Sequence, residues 1–95
     1  MDADEPYSWD EAKRAINRRD HKIDFTAAYE FDWDTAVTVI DDREDYGELR
    51  EIAIGFIGVT LYSLAFTRRH ERIRIISLRK AENREKSLYV EGTKR

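Results

Sequence analysis

The clearest pattern of apolar and polar positions lies late in the chain, in residues 68–81, which read RRHERIRIISLRKA. Isoleucines and a leucine alternate there with charged side chains at a period close to two residues, and most of the apolar residues are β-branched. This pattern favours a strand over a helix. We therefore predict a buried strand with cations at both of its ends.

The arginines of this strand are candidate phosphate ligands, because a planar guanidinium held on a strand can grip a phosphate through two parallel hydrogen bonds. Side chains on an unbroken strand alternate between its faces. Ser77 and Arg79 are then expected on the face of Ile75. Arg72 and Arg74 are expected on the opposite face, so both groups line one pocket only if a bulge intervenes. The end that carries Ser77 and Arg79 is favoured, because there the chain leaves the core.

Three segments before this strand also have strand composition: Thr35–Ile40, Leu49–Ile57 and Val59–Thr67. Gly58 separates the last two and is expected to form the tight turn of a hairpin. A short polar turn at 69–71 then leads into the arginine strand. We predict about four strands in a mainly antiparallel sheet.

A helix is predicted before the first of these strands. Ser8 and Glu11 have the spacing of a capping box, which indicates a helix that starts at Trp9 and ends near Asp20 or His21. The C-terminal end of a helix stabilises a positively charged imidazole, such as that of His21.

Two more helices complete the predicted order. Asp24 can cap a short helix at Phe25–Glu30, and Ala81–Val90 is typical of a closing helix that packs back on the sheet. The first helix has a narrow apolar stripe that contains Ile16. Two N-terminal helices, a sheet and a C-terminal helix imply an α+β domain.

The amino-acid composition limits the classes of protein to which the chain can belong. With 95 residues, 41% of them hydrophobic, the chain is expected to form one domain over 1–95, with a flexible leader at 1–7 and a flexible tail at 91–95. The absence of cysteine excludes disulfides and thiolate metal sites. Because no signal peptide and no apolar run of about 20 residues is present, we expect a cytoplasmic protein without a membrane segment.

Charge is divided along the chain. Residues 1–51 contain sixteen Asp and Glu against seven Lys and Arg, whereas residues 52–95 contain four against ten. The basic half suits a polyanion and the acidic half suits a basic surface of another protein. An acidic cluster at 41–45 is expected to be a solvated loop rather than a cation site, and no metal or cofactor motif is present.

A set of residues spread along the chain matches one known family. It comprises Trp9-Asp10, Lys13, Asn17, His21, Phe31-Asp32-Trp33, Tyr46-Gly47-Glu48, Arg50, Ala53, Gly55, Thr67, Arg69 and the run from Arg74 to Ala81. In these positions the chain resembles the BrnT family of toxins. It departs at Lys22, where many relatives have glycine.

The resemblance implies a RelE-like ribonuclease fold and an mRNA-cleaving toxin of a type II toxin–antitoxin pair. Its implied partners are the RNA substrate and a BrnA-like ribbon-helix-helix antitoxin, with which it would form a hetero-oligomer. No cofactor is implied.

RNA cleavage without a metal needs a base for the ribose 2′-hydroxyl, an acid for the leaving 5′-oxygen and cations around the phosphorane. We predict that Arg79 and Arg69 clamp the scissile phosphate and that His21 transfers a proton. The predicted supporting residues are Arg74, Ser77, Lys80, Glu48, Arg50 and Tyr89.

The same residues also allow an interpretation without catalysis. Surface arginines usually pair with carboxylates, and His21 at a helix end can simply bond the last carbonyls. Glu48 and Arg50 can form a structural ion pair across to the arginine strand. The alternative function is therefore a non-catalytic module that binds RNA or an acidic protein through the basic strand.

Overall fold

A computed structural model of the protein describes residues 5–94. The elements in this range are β1 (Tyr7–Trp9), α1 (Glu11–His21), a 3₁₀ helix (Phe25–Glu30), β2 (Val37–Ile40), β3 (Glu51–Ile57), β4 (Thr60–Arg69), β5 (Arg72–Lys80) and α2 (Asn83–Thr93). The strands form one sheet in the order β1-β5-β4-β3-β2, in which only β1 and β5 are parallel. The predicted α+β class, the mainly antiparallel sheet and the closing helix are confirmed.

The prediction of four strands is wrong by one, since β1 forms where the end of the leader and the start of the first helix were expected. Tyr7 is buried, its hydroxyl donates to the carbonyl of Ala28 at 3.0 Å, and it accepts from Nε1 of Trp33 at 2.6 Å. These bonds tie Tyr7 to the 3₁₀ helix and to Trp33, and β1 pairs in parallel with β5, so that the end of the predicted leader belongs to the sheet. Residues 1–4 lie outside the described range.

The predicted start and apolar stripe of α1 are also corrected. Ser8 lies in β1, and the N-cap is Asp10, whose carboxylate accepts from the N–H groups of Ala12 and Lys13. Ile16 is 49% exposed, whereas the polar Asn17 is 4% exposed. The helix is therefore held by a buried amide rather than by an apolar stripe.

The two remaining helices differ from prediction in type or bounds. The segment Phe25–Glu30 is capped by Asp24 as expected, but it is a 3₁₀ helix, which leaves one α-helix rather than two before the sheet. The closing helix begins at Asn83 and continues to Thr93, into the segment predicted as a tail. Residue 95 lies outside the described range.

The sheet separates two apolar clusters. The larger packs the 3₁₀ helix against one face of the sheet around Phe25, Phe66 and Leu78. The smaller lies under α2, around Ile52 and Ile54. Because α2 packs chiefly over β2 and β3, its face of the sheet is less covered along β4 and β5.

A β-bulge at Ile76 decides which side chains of β5 share a face. The register pairs Ile75 and Ser77 with adjacent residues of β4, and Ile75 and Leu78 lie in the same cluster although they are three positions apart. Ser77 therefore faces away from Ile75, contrary to the expectation for an unbroken strand. The bulge places four side chains on the face of the sheet against which α2 packs, and we call it the α2 face. They are Arg72, Arg74, Ser77 and Arg79.

Candidate active site

The candidate site lies where α1 covers the edge of β5. The pairing of β5 with β1 ends at Ile75. At Leu78 the side-chain amide of Asn17 binds the edge of β5 instead. Nδ2 of Asn17 donates to the carbonyl of Leu78 at 2.8 Å, and the N–H of Leu78 donates to Oδ1 at 3.0 Å. Nδ2 also donates to the carbonyl of Ile23 at 3.1 Å. The amide thus pairs with β5 as a strand would, and it fixes the last turns of α1 at the end of β5.

The C-terminus of α1 presents basic side chains. His21 is its last residue and is exposed, and the next residue, Lys22, adopts a left-handed conformation with φ +59°. The N–H of Lys22 donates to the carbonyl of Arg18 at 3.0 Å and so closes the helix. The negative end of the helix dipole favours cations at this position.

A cleft of about 610 Å³ opens between this helix end and the end of β5, and we call it the α1–β5 cleft. Its lining residues are Asp20, His21, Lys22, Ile23, Tyr62, Arg79, Lys80 and Glu82. Three predicted site residues, His21, Arg79 and Lys80, therefore meet here. A fourth, Ser77, lies with His21 in an adjoining cavity of about 230 Å³.

Arg79 is held rigidly by a buried carboxylate at the start of α2. Its Nη1 and Nη2 donate to the two oxygens of Glu85 at 2.8 and 3.0 Å, and Nη1 also donates to the carbonyl of Lys80 at 3.2 Å. Glu85 accepts from the hydroxyl of Ser63 at 2.9 Å as well. Since a guanidinium has five N–H donors, Nε–H and one Nη2–H of Arg79 stay available for a phosphate.

The Glu85 carboxyl is charged at neutral pH despite its burial. Burial raises the pKa of Glu85, but hydrogen bonds from Arg79, from the N–H of Glu82 and from Ser63 outweigh it and hold that pKa below its ordinary value of 4.5. A charged Glu85 keeps Arg79 in one orientation.

Arg69 is not brought to the cleft. It pairs with Arg72 at the opposite end of the two long strands, and its Nη2 donates to Glu48 at 3.1 Å. Arg79 pairs with Ser63, which is six residues from Arg69 along β4, and this corresponds to roughly 20 Å. The two guanidinium groups therefore cannot clamp one phosphate together.

Two other predicted residues also lie away from the cleft. The ring of Tyr89 packs edge-on against Phe56 with centroids 5.6 Å apart, under α2. The guanidinium of Arg50 lies over the ring of Tyr46 at 3.9 Å and does not pair with Glu48. Of Glu48 and Arg50, only Glu48 therefore forms an ion pair across to Arg69.

Most arginines are paired, but within residues 5–94 three guanidinium groups have neither a carboxylate nor a carbonyl partner. Arg68 bonds Glu51 at 2.9 Å, and Arg72 donates to the carbonyls of Glu5 and Tyr7. The three groups without such a partner are those of Arg50, Arg74 and Arg84. Arg74 lies on the α2 face beside Ser77, where a polyanion can contact it without breaking an ion pair.

Sequence reasoning missed several residues that build the site. The spacing of Glu82 and Glu85 before an expected helix is a capping signal and would have identified Glu85 as fixed. Tyr62 follows only from the pairing of β4 with β5. Asn17 gave no signal of its role, because the groups that it binds at Leu78 are 61 positions away.

In this small α+β fold, an imidazole, an ammonium group and a carboxylate-fixed guanidinium line one cleft, and groups of these kinds can contact a phosphate. Residues 9–85 match the family model described as "Ribonuclease toxin, BrnT, of type II toxin-antitoxin system". The chain therefore belongs to the BrnT family of ribonuclease toxins, as the sequence motifs predicted. A search of curated proteins finds no match to it. Within residues 5–94, no helix is long and apolar enough to cross a bilayer.

Proposed function

We propose that this protein is a metal-independent endoribonuclease that cleaves RNA in the α1–β5 cleft. The observation that carries the proposal is the meeting of His21, Arg79 and Lys80 around one open cleft in a chain of the BrnT family. The family is a ribonuclease family, and these side chains are of the kinds that phosphodiester cleavage needs.

In the proposed reaction the ribose 2′-hydroxyl attacks the adjacent phosphorus and expels the 5′-oxygen of the next nucleotide. Arg79 stabilises the phosphorane through Nε–H and the remaining Nη2–H, while Glu85 holds the guanidinium in place. Lys80 adds positive charge from the neighbouring position. His21 transfers a proton at the scissile bond. The products are a 2′,3′-cyclic phosphate and a free 5′-hydroxyl.

The RNA strand continues from the cleft along the α2 face of β5. Ser77 and Arg74 follow Arg79 on that face because of the bulge, and Arg74 has no competing carboxylate within the described residues. Arg69 lies near the far end of the same face and is assigned to backbone contacts rather than to the scissile phosphate. Such contacts position RNA without reading its sequence.

The two histidines provide a matched test. Purified protein is incubated with RNA in the presence of EDTA, and the fragment ends are analysed by mass spectrometry. Cleavage should persist and give 2′,3′-cyclic phosphates. His21→Asn should slow it by about 10²- to 10⁴-fold, because a positioned proton-transfer group contributes that much.

His70→Asn is the control, since His70 lies in the turn between β4 and β5 with φ +50°, a conformation that asparagine tolerates. It should leave the rate within about twofold. Cleavage that stops in EDTA would contradict metal independence. Salt-sensitive RNA binding without any cleavage would instead support the non-catalytic module.

We further infer that the antitoxin partner of this type II toxin is a BrnA-like ribbon-helix-helix protein that covers the cleft. Induction of this chain alone should arrest growth, and coexpression of an adjacent gene with a ribbon-helix-helix pattern should restore it. Growth arrest that no such neighbour relieves would overturn the identity of the partner and leave the ribonuclease proposal untouched.

A further inference from the structure

A second cavity, of about 370 Å³, lies in the loop before β3, and we call it the Tyr46 cavity. It is lined by Arg43, Glu44, Tyr46 and Arg50. The Arg50 guanidinium is stacked 3.9 Å from the centroid of the Tyr46 ring, and the Tyr46 hydroxyl donates to Asp41 at 3.3 Å. Asp41 is buried and also binds Arg43 at 2.8 Å. The cavity wall is therefore a fixed, planar and cationic platform.

Two charged groups in this cavity have no charged partner. Arg50 makes no hydrogen bond or ion pair through its guanidinium to any residue of 5–94, and its Nε is buried. The Glu44 carboxylate likewise has no hydrogen bond or ion pair in that range. A planar donor and an acceptor thus line one cavity, and a ligand that offers both acceptors and donors would satisfy both.

The Tyr46 cavity and the α1–β5 cleft each share lining residues with one smaller cavity. A smaller cavity of about 150 Å³ shares Arg79 and Glu82 with the cleft and shares Arg43 with the Tyr46 cavity. From the register, Arg50 and Arg79 are two strands apart and about four residues apart along them, which is roughly 16 Å. A single RNA strand held at Arg79 can therefore reach Arg50 within a few nucleotides.

We propose that the Tyr46 cavity is a nucleobase subsite that selects guanine in the RNA substrate, a few nucleotides from the point of cleavage. This rests on the proposed function of the cleft. Tyrosine rings and arginine planes are the surfaces on which unpaired bases stack. Arginine forks onto O6 and N7 of guanine, and Glu44 accepts from the N–H groups of the same base.

A protein carboxylate, such as one from the antitoxin, fits this cavity less well. It would satisfy Arg50 but would bring a second carboxylate into a cavity that Glu44 already lines, and it would add no ring to the stack of Arg50 on Tyr46. Guanine alone among the four bases pairs a two-acceptor edge for Arg50 with ring and amino donors for Glu44.

Binding is tested first with mononucleotides and ¹⁵N-labelled full-length protein. The Nε–Hε resonance of Arg50 should shift on titration with GMP, and AMP, CMP and UMP should bind about tenfold more weakly. Glu44→Gln should weaken GMP binding about tenfold. Asp42→Asn is the matched control, because Asp42 lies in the same loop but does not line the cavity. Equal binding of all four nucleotides, or no shift at Arg50, would overturn the proposal.

Cleavage mapping on a randomised RNA gives a second readout. Wild-type protein should show guanine enriched at a fixed offset from the cut. Arg50→Lys and Glu44→Gln should lose that enrichment, whereas the control Asp42→Asn should keep it. Enrichment that persists in both variants would contradict the subsite. Absence of cleavage by wild type would refute the cleft chemistry alone, since GMP binding is measured without it.

Discussion

At the scale of single residues, Asn17 shows how a polar side chain can position a site. Its amide binds both backbone groups of Leu78 and holds α1 against β5, so that His21 stands beside the end of that strand. The periodicity of the helix pointed to Ile16 as the inward residue. It failed because the helix packs on a strand edge, where backbone groups need partners more than apolar surface needs cover.

Replacing this amide should be costly. Asn17→Ala leaves the buried N–H and C=O of Leu78 without a partner, so the free energy of unfolding in urea should fall by about 2–3 kcal/mol. Lys13→Ala, at an exposed position one turn earlier in the same helix, should change it by less than about 0.5 kcal/mol. A loss below that value in Asn17→Ala would show that the amide does not hold the helix.

The helix end offers a second prediction at this scale. Lys22 has φ +59°, a region where glycine is unstrained and a side chain costs about 1 kcal/mol or more. Lys22→Gly should therefore leave the protein as stable or about 0.5–1 kcal/mol more stable by urea denaturation. Lys13→Gly, inside the same helix, should instead destabilise by about 1 kcal/mol. Destabilisation of similar size in both variants would contradict backbone strain at Lys22.

At the scale of elements, strands with long alternating patterns were predictable and a short one was not. The hairpin turn at Gly58 and the long strands β4 and β5 follow from local sequence. β1 has three residues and pairs with a strand 66 positions away, so no local signal marks it. The capping spacing of Ser8 was outweighed by Asp10, which caps the helix once Ser8 is held in the sheet.

The contact between α2 and the edge strand β2 can be tested by a double-mutant cycle. A Cβ at Gly92 would lie 2.6 and 2.8 Å from the methyl carbons of Val37. Gly92→Ala should therefore destabilise by about 1 kcal/mol, although alanine favours helices. In a Val37→Ala background the same change should stabilise. Additive effects in the two backgrounds would contradict the close packing.

At the scale of the whole molecule, the division of charge along the sequence is partly cancelled by folding. Glu48 and Glu51 from the acidic half pair with Arg69 and Arg68 from the basic half. Arg74, which has neither a carboxylate nor a carbonyl partner within residues 5–94, lies on the α2 face. The sequence thus predicted where cations occur, but which of them remain available depended on the register.

The ion pairs predict sensitivity to acid. Hydrogen bonds from Arg14 lower the pKa of Asp24 from 3.8 to about 2, and hydrogen bonds from Arg43 lower that of Asp41 likewise. A carboxyl whose pKa is lower in the folded state than in the unfolded state stabilises the fold at pH values above its unfolded pKa. This stabilisation is lost as the pH falls through the folded pKa. Thermal midpoints should therefore drop between about pH 4 and pH 2, and less steeply in Asp24→Asn. An equal slope in wild type and variant would contradict the pairing.

The candidate site was predictable only as a list of residues. The family motifs named His21, Arg79 and Lys80, but their meeting depends on α1 crossing to the end of β5, which no local pattern encodes. The separation of Arg69 from Arg79 likewise follows from strand register and not from their spacing in the sequence.

The most direct test of this account is the cleavage rate of purified Arg79→Ala on RNA, measured beside wild type with the fold of both verified by circular dichroism. Arg68→Ala, which removes an arginine from the other face of the same sheet, is the matched control. Wild type and Arg68→Ala should cleave the RNA, and folded Arg79→Ala should lose about 10²-fold or more of the rate. Undiminished cleavage by Arg79→Ala would contradict the proposed role of Arg79.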